Sequence, residues 1–105
     1  MDKNEAIKIA QRYLASVNSK FPVQNAFLFG SFVKGTNHPD SDIDIALVFD
    51  KVDDIIDLQI QLMQIRTDDD LLIEPHPFRR SEFHPNIPIV AEITKNGIEI
   101  FNPAA

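Results

Sequence analysis

The sequence predicts an α+β domain in which a small β-sheet is covered by helices, and three observations carry that expectation. Segments with apolar residues at helical spacing alternate with short runs rich in Ile, Leu, Val and Phe, so helices and strands interleave along the chain. The length, 105 residues, fits a single domain spanning residues 1–105. The composition, 44% hydrophobic and 25% charged, is that of a globular chain rather than a disordered one. A core of this size is modest, so pairing with a second copy or with a partner protein would be unsurprising.

Each element has its own local reason. Asp2 with Glu5 three residues later has capping-box spacing, and Ala6, Ile7, Ala10, Tyr13, Leu14 and Val17 recur at helical spacing. A helix is expected over residues 2–18, broken by Phe21-Pro22. A strand over 23–29 then runs into Gly30-Ser31. Residues 31–34 have room for one short helical turn, which Gly35 ends. The polar stretch 36–41 reads as a loop. Residues 42–49 form a second strand, rich in Ile, Leu and Val as a central strand should be.

Residues 52–66 read as the next helix, with Val52, Ile55, Ile56, Leu62 and Met63 on one side. Asp68-Asp69-Asp70 is expected to be a solvated turn. A third strand over 71–74 is expected to end at a sheet margin because of Pro75 and Pro77. Residues 79–86 look irregular, with one helical turn at most. A last helix over 88–95 has Pro88 in its first turn and Gly97 past its end, and residues 98–101 form a final strand.

The formal net charge is −6, and it is concentrated: residues 36–60 hold seven aspartates against Lys51 alone. An acidic domain without a basic stripe is a poor candidate for gripping nucleic acid by its phosphates. No cysteine is present, which excludes disulfides and thiolate metal sites. The apolar runs fall far below the ~20 residues that span a bilayer, and the amino terminus is polar, so no membrane association and a cytoplasmic location are expected.

Chemistry concentrates between Gly30 and Asp44. Period-two alternation puts Asp42 and Asp44 on one strand face, opposite Ile43 and Ile45. Two like charges so placed invite a cation between them. Residues two apart on a strand lie roughly 6.5–7 Å apart, so their carboxylates can converge on two ions about 3.5–4 Å apart. Magnesium takes one or two protein carboxylates and completes its shell with phosphate oxygens and water.

The Gly30-Ser31 turn offers free N–H groups and a hydroxyl to phosphate, and Lys34 could bring a cation near the leaving phosphates. An EF-hand reading of Asp40-x-Asp42-x-Asp44 fails, because Ile45 and Lys51 stand where glycine and glutamate are required. The P-loop pattern is absent. His38, in the loop before the aspartates, could touch phosphate, although loop histidines are usually solvated. His76 and His84 flank prolines in an irregular stretch and form no metal spacing. Arg79 and Arg80 could steady a triphosphate or an acceptor, although solvated surface is the expected role, and Tyr13, Phe27 and Phe29 read as core.

Gly30-Ser31-Phe32-Val33-Lys34-Gly35, followed by Ser41-Asp42-Ile43-Asp44-Ile45-Ala46-Leu47-Val48, closely resembles the signature of the minimal nucleotidyltransferases. These are small members of the DNA polymerase β-like nucleotidyltransferase superfamily. The resemblance implies the nucleotidyltransferase fold, a small mixed sheet with elements ordered α-β-α-β-α-β before a short final helix and strand. It implies that Asp42 and Asp44 bind two magnesium ions together with ATP, and that Gly30 and Ser31 hold the β- and γ-phosphates.

The resemblance also implies a third carboxylate on the next core strand, for which Glu74 is the best match, with Asp70 of the same parity as a fallback. The chain departs from the pattern here: glutamate replaces the commoner aspartate, and Pro75 follows it. The implied activity is transfer of AMP to a hydroxyl on a partner protein. The implied biology is that of an antitoxin paired with an HEPN-domain toxin. Two other readings stay open: a nucleotide-binding, neutralising subunit without turnover, and the catalytic subunit of a two-chain small-molecule nucleotidyltransferase.

Overall fold

The structure is a computed structural model, and it describes residues 1–103. Helix α1 (Lys3–Asn18) is followed by β1 (Asn25–Phe29), the single turn α2 (Ser31–Lys34) and β2 (Ile43–Phe49). Then come α3 (Ile55–Ile65), β3 (Ile73–Arg79), α4 (Pro88–Asn96) and β4 (Ile98–Phe101). The strands form one mixed sheet ordered β3-β2-β1-β4; β1 runs antiparallel to β2 and β4, while β2 and β3 are parallel. The expected fold class and element order are both found.

Alternation on β2 sorts the two faces. Ile43, Ile45, Leu47 and Phe49 join Ala26 and Leu28 of β1 in a core with Ala6, Ala10, Tyr13, Leu14 and Val17 of α1 and Leu58 and Leu62 of α3. The opposite face carries Asp44, Ala46 and Val48 at the intervening positions. There Ala46 and Val48 are buried, as are Val90 and Ile93 of α4, which packs against β1. Phe27 and Phe29 share this second face, half-buried rather than core as their sequence suggested, because their parity on β1 is opposite to that of Ala26 and Leu28. No helix among the described residues is long and apolar enough to cross a membrane.

Caps account for the helix starts. Asp2 Oδ1 accepts from the Glu5 N–H at 2.9 Å, which begins α1 as its spacing suggests. Asp54 Oδ1 accepts from the N–H groups of Ile56 and Asp57, so α3 begins at Ile55 rather than at 52. Likewise β1 begins two residues later than expected, because the Val23 N–H is taken by Asn18 Oδ1.

The C-terminal end of α3 depends on Tyr13. Its hydroxyl donates to the Leu62 carbonyl at 2.6 Å in a buried site, satisfying one of the last orphan carbonyls of the helix. Tyr13→Phe removes this donor and should lower stability by about 1–3 kcal/mol, read as a shifted urea midpoint. Burial also pushes the Tyr13 phenol well above its ordinary value. Its stabilising contribution is therefore fully present below the ordinary tyrosine value and is lost progressively as pH rises from there to the raised folded value.

The largest departure from expectation is β3, which continues through Pro75 and Pro77 to Arg79. As the edge strand, β3 tolerates both prolines because their parity puts the missing N–H groups on the side away from β2. Two carbonyls on that outer side are taken: Arg66 Nη1 donates to Ile73 (3.0 Å) and Gln59 Nε2 to Pro75 (2.8 Å). An edge so covered is a poor template for strand addition. Asp70 is a second correction. It ends a short 3-10 turn, is only 7% exposed, and accepts from Thr67 Oγ1 at 3.1 Å, so it is not a solvated acid.

Candidate active site

Gly30 leaves β1 with φ 82° and ψ −150°, a conformation reserved for glycine, and turns the chain directly into α2. The turn also needs glycine for space. A Cβ on Gly30 would overlap Asp44 Oδ2 and lie 3.1 Å from Asp44 Cγ. The Gly-Ser turn and the second aspartate of the motif therefore touch, which their separation in sequence does not reveal. The first N–H groups of α2, those of Ser31 and Phe32, have no intrahelical acceptor and border the same place.

Register supplies the rest. Asp44 pairs with Phe29 on β1 and with Glu74 on the parallel strand β3. Parallel partners present their side chains on the same face, so Asp44 and Glu74 stand side by side on neighbouring strands about 4.8 Å apart. Asp42 lies just before β2, which starts at Ile43 and not at 42, and it is exposed. The loop before it is pinned: buried Ser41 accepts from the His38 N–H through Oγ (2.7 Å) and donates its own N–H to the His38 carbonyl (3.0 Å). His38 contributes backbone here and leaves its ring exposed.

Three hard oxygen donors on one sheet end suit magnesium by chemistry. As the side chains stand, no three acids or histidines among the described residues converge on a common point. Asp44 is engaged elsewhere, since His76 Nε2 lies 3.0 Å from its Oδ1. A carboxylate only accepts, so Nε2 carries the hydrogen. His76 also meets the Phe29 ring edge-on, with centroids 5.1 Å apart. The sequence places this histidine in an irregular, proline-flanked stretch with no metal spacing. Period two from Glu74 reaches it once β3 continues through the prolines.

The remaining candidates scatter. Lys34 pairs with Glu92 of α4 at 2.8 Å, and that contact raises the affinity of its amine for a proton. The pair is mostly exposed, so it leaves Lys34 free to exchange partners. Asp70 borders Tyr13 and Arg66 on the far side of the sheet, which removes it as the fallback third acid. Arg79 is in register with Phe49, five residues or roughly 16 Å along the strand from Asp44, and donates from Nε to the Val52 carbonyl. A cavity of about 590 Å³ opens near that distant end, between Phe21, Phe49 and Leu58, and includes none of Gly30, Asp42, Asp44 or Glu74.

Comparison with known proteins agrees with this fold. The family described as Polymerase beta, Nucleotidyltransferase matches residues 11–104. No curated protein matches the chain. Among solved structures, a candidate nucleotidyltransferase from Sulfolobus solfataricus is 20% identical, with a TM-score of 0.71 over 96% of this chain and 84% of that one. A toxin-antitoxin structure with AMP-PNP is 21% identical, with a TM-score of 0.61 over 90% of this chain and 73% of that one. A mutant of the toxin-antitoxin MntA-HpeT is 22% identical, with a TM-score of 0.65 over the same shares.

At such identities these structures share a fold with this chain. The family match spans nearly all of the sequence, including the glycine turn and both aspartates, so the chain belongs to the polymerase beta nucleotidyltransferase family.

Proposed function

We propose that this protein is a magnesium-dependent nucleotidyltransferase that moves AMP from ATP to a hydroxyl on a partner protein. In this reading it is the antitoxin of a pair whose toxin is an HEPN-domain protein. The observation that carries the proposal is the meeting of the bare Gly30 Cα with the Asp44 carboxylate, beside Glu74 in register. That juxtaposition joins a phosphate-binding turn to a row of acids. Support for ATP and for a protein partner comes from fold relatives described as toxin-antitoxin structures, one of them with AMP-PNP. The acidic 36–60 segment favours a partner with a basic face.

Asp42, Asp44 and Glu74 would hold the magnesium ions, while Ser31 and the first N–H groups of α2 orient the β- and γ-phosphates. Magnesium, when bound, supplies charge neutralisation around the phosphates. The acceptor hydroxyl oxygen bonds to the α-phosphorus as the bond to the bridging oxygen of the β-phosphate breaks. Pyrophosphate leaves, and Glu74 takes the hydroxyl proton. Positioning does most of the work.

Incubation with labelled ATP, magnesium and the HEPN protein should label that protein. Glu74→Ala should slow labelling about 100- to 10,000-fold while AMP-PNP still binds. Unchanged labelling in that variant would remove Glu74 from the site. A second reading, a nucleotide-binding subunit without turnover, is favoured by the lack of three converging acids or histidines among the described residues. It predicts that the partner binds and remains unlabelled.

A further inference from the structure

We infer that His76 is a positioning residue for the nucleotide–metal site: it holds Asp44 by Oδ1 and so presents Oδ2 to the glycine–serine turn. This inference rests on the reading of Asp44 as a metal ligand and deepens it. The two oxygens of Asp44 have different neighbours. Oδ2 lies against Gly30, and Oδ1 lies 3.0 Å from His76 Nε2.

The sheet explains how the imidazole reaches back. His76 is in register with Ala46, one pleat beyond the Asp44–Glu74 pair. Ala46 is the smallest side chain of β2, and from opposite it the His76 ring reaches back to Asp44 at 3.0 Å. The edge-on contact with Phe29, at an interplanar angle of 62°, limits the ring on the β1 side. Side-chain exposures of 37% for His76 and 26% for Asp44 put the hydrogen bond at the margin of the core, where water screens it only in part.

Without that bond, Asp44 would gain rotamer freedom beside the acids at 42 and 74, which repel it. A hydrogen-bonded ligand is held where the cation needs it, and losing such an outer partner typically costs 10- to 100-fold in metal affinity. An imidazole that donates to Asp44 is also distinct from one that ligates directly, because a glutamine amide can replace the donor.

The test uses melting temperature in AMP-PNP across a magnesium chloride titration, for the wild type, His76→Ala, His76→Gln and Asp44→Asn. His76→Ala should need about 10- to 100-fold more magnesium for half of the AMP-PNP-dependent stabilisation, and His76→Gln should recover most of that loss. Their melting temperatures without ligand should stay close to that of the wild type, since His76 lies outside the buried core. Wild-type magnesium dependence in His76→Ala would overturn the inference. A His76→Gln variant as weak as His76→Ala would overturn it too, by making the imidazole itself a ligand.

The imidazole ¹⁵N spectrum of the unliganded protein gives an independent reading. Hydrogen on Nε2 is expected, and hydrogen confined to Nδ1 would refute the contact. If magnesium shifts nothing in the wild type, or shifts Asp44→Asn equally, the ligand assignment of Asp44 fails and the positioning role fails with it. A failure confined to the His76 variants leaves that assignment standing.

Discussion

Asp44→Asn is expected to abolish stabilisation by magnesium and ATP while leaving the unliganded protein at least as stable as the wild type. The reason is electrostatic. Asp44 stands beside Glu74 in register and two residues from Asp42, so like charges gather there and a bound cation offsets their repulsion. Asparagine keeps the shape and an oxygen that can still accept from His76 Nε2, so the unliganded fold loses little. Ligand binding is another matter, because a neutral amide is a poor magnesium donor. At a ligand concentration about a hundred times Kd, the wild type should gain about 2.7 kcal/mol. For a domain of this size that is a rise of roughly 10–20 °C in melting temperature. Differential scanning fluorimetry with and without ATP and magnesium reads the effect directly. A full-sized shift in Asp44→Asn would dismiss the aspartate as a ligand.

Gly30→Ala should act on folding and binding together. The backbone at φ 82° and ψ −150° is strained for any residue with a Cβ, at a cost of about 1–3 kcal/mol. The added methyl also overlaps Asp44 Oδ2, so the carboxylate must rotate away or the turn must open. Either movement separates the phosphate turn from the acids. We expect a melting temperature lowered by roughly 5–20 °C and no recovery on adding ATP and magnesium. Gly35→Ala is the control. It too has positive φ, but a Cβ there meets nothing within 4 Å, so it should lose stability and keep ligand binding. Equal loss of binding in both variants would trace the effect to backbone strain alone.

Much of the fold could be read from local pattern. The spacing from Asp2 to Val17 specifies α1 with its cap, Gly35 ends α2, and Ile98–Phe101 forms the last strand that its local pattern predicts. Errors arose where a distant partner overrides local preference. Pro75 and Pro77 stop a strand that has neighbours on both sides, but β3 has only one, and its open flank takes donors from Arg66 and Gln59 of the preceding segment. Asp70, in a run of three aspartates, looks solvated until Thr67 and the α1 side of the core enclose it.

The candidate site divides in the same way. Gly30, Ser31, Asp42 and Asp44 stand out in the sequence because each residue type suits phosphate or a hard cation, and because their spacing fits a strand, a turn and a second strand. His76 does not stand out, since 32 residues separate it from Asp44 and only the parallel pairing of β2 with β3 brings the two together.

The amino-acid sequence alone determined the elements, their order, the acidic character and the family signature, because these follow from periodicity, composition and short-range spacing. Tertiary structure decided which oxygen of Asp44 meets Gly30, which meets His76, and that Glu74 stands beside it. Those contacts depend on strand order and register, which arise when the whole chain buries its apolar face, and no local window of residues contains them.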